Sequence, residues 1–164
     1  MITEVLMCAA LLTAPACAAS SMEAKDWKGH EPSLYTGQHY HHKWAKVRKC
    51  IMHRESRSNY RARGTISSAS GAYQFLDSQW RISLTYMMIR ESRSTADGLI
   101  SEIKALRDHP IQEWNRYGQD RAFYTAWDNG RGADHWNQTR HGCQTPPTTY
   151  STSITSTRLD KSLS

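Results

Sequence analysis

The sequence has no apolar run long enough to cross a bilayer. Its most hydrophobic stretch, Val5 to Leu12, falls well short of the about 20 residues a spanning helix needs. Cysteine is scarce, with 4 in 164 residues. The histidine cluster near residue 40 has no matching cysteine or carboxylate spacing, so no metal is expected. The histidines at 30, 39, 41, 42 and 53 then read as part of a solvated basic helix start. No organic cofactor motif and no nucleic-acid recognition motif is present. Acid is the scarcer charge: 15 Asp and Glu stand against 21 Lys and Arg, for a net charge of +6.

What is there fits one domain of ordinary size. Hydrophobic content of 38% and charged content of 22% suit a globular chain. A sequence pI near 9.3 points toward an anionic polymer as partner, with nucleic acid and the bacterial wall as the candidates. Along the sequence the basic residues read as scattered rather than gathered on one face, and simple solubility explains them equally well. The opening segment 1–19 combines the Val5–Leu12 run with the small-residue stretch Ala14-Pro-Ala-Cys-Ala-Ala19, the pattern of a secretory signal, although Glu4 replaces the expected base. Residues 20–39 are polar and aperiodic and read as a linker. The folded domain is expected over 40–143. The Ser/Thr-rich stretch 144–164, after two prolines, has too few large apolar groups to order itself. Cys8 and Cys17 would leave with a signal. Cys50 and Cys143 would remain, and an even pair in an exported domain suggests a disulfide. In the chain-entropy model such a bridge contributes about 4–5 kcal/mol.

The most informative stretch begins at Trp44. Trp44, Val47, Ile51 and Glu55 recur at helical intervals, so Glu55 continues an apolar stripe and should face inward. A carboxylate there is costly unless it is paired or has a chemical task. Partial burial and the negative end of a helix dipole both favour the protonated form, which suits a general acid. An ion-paired structural glutamate is the equally simple alternative. After a polar loop comes Gly71-Ala72-Tyr73-Gln74-Phe75, and later Ala126-Trp127-Asp128-Asn129-Gly130-Arg131-Gly132.

Taken together, these three segments resemble the lysozyme-like lytic transglycosylases of bacterial cell walls, whose motifs run Glu-Ser, Gly-x-x-Gln and Ala-Tyr-Asn-x-Gly-x-Gly. The stretch Cys50 to Trp80 looks closest to the transglycosylase-like domain of resuscitation-promoting factors and related phage lysins. The third motif departs from the pattern, with Trp127 in place of Tyr and Asp128 in place of Asn. The resemblance implies a mainly helical α+β fold of the lysozyme type, with a small loop or hairpin lobe over 58–70 beside a cleft. It implies Glu55 as catalytic acid and Gln74 as a site residue. Tyr73 and Trp127 are candidate sugar platforms, or core, and Asp128 is a candidate second carboxylate. The substrate implied is the β-1,4 bond between N-acetylmuramic acid and N-acetylglucosamine. Glycan strands would be the partner of a monomer that is secreted, wall-associated or carried on a phage virion.

The rest reads as helices. One should run from Asp77, as cap, through Arg90, with Trp80, Leu84, Met87 and Met88 inward. A second covers Ala96 to Asp108. A third runs from Pro110 to Tyr117 and is broken by Gly118. A fourth spans Gln119 to Trp127, and a last turn carrying Trp136 is expected within 134–140. Met88-Ile-Arg-Glu91-Ser92 repeats Met52-His-Arg-Glu55-Ser56 closely, but no Gly-x-x-Gln follows it, and Glu91 is expected at the surface. Two readings of function remain: a wall-cleaving enzyme, by transfer or by hydrolysis, and a wall- or nucleic-acid-binding module that kept the fold and lost catalysis.

Overall fold

The computed structural model describes residues 32–137 and 142–143. The expected signal, the first part of the linker and the Ser/Thr-rich tail lie outside them. The architecture is mainly helical with one two-stranded antiparallel sheet. Helix α1 spans Ala45–Ser56, α2 Asp77–Thr95, α3 Ile100–Ala105 and α4 Arg116–Trp127. Strands β1 (Ala69–Ser70) and β2 (Phe75–Leu76) pair with Ala69 opposite Leu76 and Ser70 opposite Phe75. Gly71 to Gln74 is therefore the turn of a hairpin, and Arg63 adds a single bridge to Ser70. No helix among the described residues is long and apolar enough to cross a membrane.

Helix α4 lies at the centre. All of its residues except Tyr117 are buried, including Arg116, Gln119, Asp120 and Arg121. It starts at Asn115, whose Oδ1 accepts from the Gly118 N–H at 2.7 Å. Gly118 is thus the capped third residue of the helix and does not break it. Asparagine is a preferred cap because its short side chain satisfies an N–H that has no intrahelical partner. Pro110 opens a short 3-10 turn, Ile111–Glu113, in place of a full helix. Helix α3 likewise begins later than expected, at Ile100, because Asp97 accepts from the Leu99 N–H and holds a turn there.

Among the described residues, ten of the 23 buried hydrophobic ones are aromatic. Tyr73 stacks on Phe123 with centroids 4.6 Å apart, and Phe123 stacks on Trp127 at 5.6 Å. Trp136 joins them, its indole N–H donating to the Tyr73 carbonyl at 2.9 Å. Trp44, Val47 and Ile51 of α1 are buried as the spacing predicts. Helix α2 presents Leu84 and Met88 to the core, with Trp80 and Met87 half-buried. It runs on to Thr95, past the expected end at Arg90, because Glu91 and Ser92 are themselves buried and bonded. Asp77 starts this helix but does not cap it; its Oδ1 accepts from the Ile111 N–H at 2.7 Å.

The packed unit begins before residue 40. Tyr35 is 1% exposed, and the Leu34 N–H donates to Asp120 Oδ2 at 3.0 Å. The last part of the expected linker is therefore core. Its polar composition hid one buried aromatic ring and a backbone bond to a buried acid. At the other end, Cys50 and Cys143 form a disulfide with Cα atoms 5.7 Å apart, tying the middle of α1 to the last described residue.

Candidate active site

Glu55 occupies the last turn of α1 and is half-buried. The helix ends beyond it with Arg57 (φ 56°) and Ser58 (φ 61°) in the left-handed region. The Ser58 N–H closes back onto the Met52 carbonyl at 3.2 Å. Neither residue is glycine, and a left-handed conformation costs L-residues roughly 1 kcal/mol or more each. Surrounding contacts hold them there. Ser56 Oγ reaches the Met52 carbonyl at 3.1 Å and the Ala72 carbonyl at 2.8 Å, and accepts from the Asn59 N–H at 3.1 Å. The serine of the Glu-Ser pair thereby joins the end of α1 to the Gly71–Gln74 turn.

That turn is clamped from behind. Gln119 Oε1 accepts from the Ala72 N–H at 2.8 Å, while its amide nitrogen donates to the carbonyls of Tyr60 and Trp114. Gly71 has φ 77°, and a Cβ there would lie 2.4 Å from Gln119 Oε1, so only glycine fits between strand and clamp. Gln74 also adopts a positive φ, 51°, and its side-chain amide donates to the Gly71 carbonyl at 2.8 Å. It braces its own turn. Glu55 and the Gly-Ala-Tyr-Gln turn are thus set against each other by one hydroxyl, and three left-handed non-glycine residues flank the junction.

The other expected site residues are elsewhere. Tyr73 is 1% exposed and cannot offer a face to a sugar. Its hydroxyl donates to Asp120 Oδ1 at 2.5 Å and accepts from Arg48 at 2.8 Å. Trp127 is 0% exposed and packs edge-on against Trp44 as well as on Phe123, so of the two roles open to it, core is the one it fills. Asp128 is partly exposed at the C-terminal end of α4, paired with Arg131 at 2.7 Å. Its neighbour Asn129 accepts from the Trp44 indole at 2.8 Å, at the start of α1. Glu55 is eleven residues further along that helix, about 16 Å at 1.5 Å per residue.

Glu91, expected at the surface, is 5% exposed. Its carboxylate accepts from Tyr35 OH at 2.5 Å and from Arg121 Nε at 3.1 Å. Arg121 Nη1 reaches Asp97 at 3.0 Å, and Ser92 Oγ accepts from Nη2 at 2.9 Å. Burial, then the bond to Glu91, pushes the Tyr35 hydroxyl above its ordinary pKa, so it stays a donor. Glu91 and Asp128 line one open groove of about 430 Å³, together with His39, Arg90 and Arg131. This groove does not include Glu55.

A second buried ion pair escaped sequence reasoning altogether. Arg48 and Asp120 are 1% and 0% exposed and meet at 3.0 Å, with the hydroxyls of Tyr60 and Tyr73 both donating to Asp120. Burial raises both tyrosine pKa values, with Asp120 adding to the shift. The signal was available. Arg48 follows Trp44 by four, Gln119 precedes Phe123 by four, and Asp120 precedes Trp127 by seven. Each is a polar residue on an apolar stripe, the pattern that singled out Glu55. No group of His, Cys, Asp and Glu among the described residues is arranged to hold a metal ion.

Comparison with known proteins adds nothing to this geometry: no family model, no curated protein and no solved structure matches the chain.

Proposed function

We propose that this chain is a lysozyme-like enzyme that cleaves peptidoglycan glycan strands, with Glu55 as its acid and base. The observation that carries the reading is the half-buried Glu55, on the core-facing stripe of α1, locked by Ser56 to the Gly71–Gln74 turn. In this reading the Glu55 carboxyl gives its proton to the glycosidic oxygen between N-acetylmuramic acid and N-acetylglucosamine. The bond from anomeric carbon to oxygen breaks, and the N-acetylglucosamine side leaves as an alcohol. The Glu55 carboxylate then takes the proton of the muramyl 6-hydroxyl as that oxygen bonds to the anomeric carbon. A 1,6-anhydro ring forms, and Glu55 is protonated again. The step needs one carboxylate.

Hydrolysis is the alternative chemistry; it ordinarily uses a second carboxylate to activate water, and Asp128 is the candidate for that role. A disulfide within the domain supports a location outside the reducing cytosol, as for a secreted, wall-associated or virion-borne protein. Mass spectrometry of digested sacculi tests the chemistry. Anhydro-muramyl ends are expected, and reducing muramyl ends would point to water as the acceptor. Binding to sacculi without any new ends would instead support a non-catalytic wall-binding module on the same fold.

A further inference from the structure

The basic residues that look scattered in the sequence are gathered by the fold. From residue 32 to 76 the only carboxylate is Glu55, against eight Lys and Arg. On α1 the residues Lys46, Lys49 and His53 follow one another at helical spacing and are all exposed, as are His42 and Lys43 just before the helix. No ion pair holds Lys43, Lys46 or Lys49 among the described residues; Lys43 instead lies over the Trp44 ring at 5.2 Å. Lys46 and Lys49 are about 4.5 Å apart along the axis, well within one Debye length, so their potentials add. Arg57 and Arg61 extend the exposed basic surface beyond the helix end. Glu55 follows Lys46 by nine residues, about two and a half turns, and so faces the opposite way. The acid and the basic stripe stand back to back on one helix.

We propose that the exposed face of α1 is a docking surface for a linear polyanion, the phosphodiester polymer attached to some bacterial walls. The choice of a wall polymer rests on the wall-cleaving reading of Glu55; the docking surface itself rests on charge. A row of point charges on one straight helix suits a flexible chain of phosphates, which it would bind by releasing that chain's counterions. The stripe offers no Trp, Tyr or Phe ring on which a nucleic-acid base could stack, which argues against single-stranded nucleic acid. Anchored by its back, the enzyme would keep its acid turned toward the glycan.

The test uses Glu55→Gln protein, so that binding is read without cleavage. Sacculi retaining their phosphodiester polymers are compared with the same sacculi stripped of them by acid, and with a single-stranded DNA oligonucleotide. The intact sacculi should bind about tenfold or more tightly than the stripped ones, with steep salt dependence. Adding Lys43→Gln, Lys46→Gln and Lys49→Gln should remove that advantage and lower the salt slope by about 2, with the melting temperature held. Equal binding to stripped and intact sacculi, salt-independent binding, an unaffected triple variant, or tighter binding to the oligonucleotide would each overturn the proposal. Digestion of stripped sacculi by unsubstituted protein is scored separately, and its failure would count against the reading of Glu55, not against the docking surface.

Discussion

Two copies of a Met-x-Arg-Glu-Ser segment sit in this domain, one closing α1 and one inside α2. In the first, Glu55 is half-buried, and its serine reaches across to the Gly71–Gln74 turn. In the second, Glu91 is enclosed by Tyr35, Arg121 and Thr125, and its serine bonds to the same arginine. The same letters thus produce a half-buried carboxylate at a helix end and a buried carboxylate held in an ion pair. The difference comes from what faces each helix. Helix α4 brings Arg121 to Glu91, while the end of α1 meets the Gly71–Gln74 turn through Ser56. Arg121 Nε lies 3.1 Å from Glu91 Oε2 and occupies that carboxylate.

The sharpest way to break this contrast is to exchange charge for amide at Glu91. Glu91→Gln leaves the Arg121 charge buried beside Asp97 alone, and loss of about 3–5 kcal/mol is expected in a urea or thermal melt. A stability unchanged by that substitution would show that the pair is not holding α2 to α4. The next effect is smaller. Ser56→Ala removes the hydroxyl between α1 and the turn, at a cost of about 1 kcal/mol. Glycan cleavage should fall by more than the melt alone accounts for, because Glu55 loses its registration with the turn. Equal losses in both assays would reduce Ser56 to a purely structural residue.

Acid should separate the two regions as well. Burial raises the Asp97 pKa, but the Leu99 N–H, Ser92 and Arg121 outweigh it and hold the carboxyl below its ordinary value. A folded-state value below the unfolded one contributes stability at neutral pH and loses it as pH falls through the folded value. The urea midpoint should therefore drop below about pH 4, and Asp97→Asn should flatten that fall. The smallest expected effect is that of Asp128→Asn. Its ion pair with the exposed Arg131 is worth about 0–1 kcal/mol, and cleavage should be unchanged. A strong loss of cleavage would return Asp128 to the site and favour hydrolysis.

The mainly helical fold was legible because its helices carry clear apolar stripes: Val47 and Ile51 on α1, Leu84 and Met88 on α2, Phe123 and Ala126 on α4. The disulfide pair followed from counting cysteines. Burial of polar residues was not legible from composition. Glu91 read as surface, and Arg48, Asp120 and Arg121 drew no reading; only their mutual pairing makes burial affordable. Tyr73 and Trp127 failed as sugar platforms for the complementary reason: in a core with so few phenylalanines, they supply its stacking surface. Gly118 misled because a glycine in the first turn of a helix, beneath an asparagine cap, is no breaker.

The central claim is that Glu55 alone supplies the proton. Digestion of purified sacculi by unsubstituted protein, Glu55→Gln and Asp128→Asn, each checked by its melt, tests it most directly. A loss of about 10²–10⁴-fold in Glu55→Gln, with its melt near that of the parent and Asp128→Asn fully active, is the predicted result. Undiminished release of glycan fragments by Glu55→Gln would contradict it.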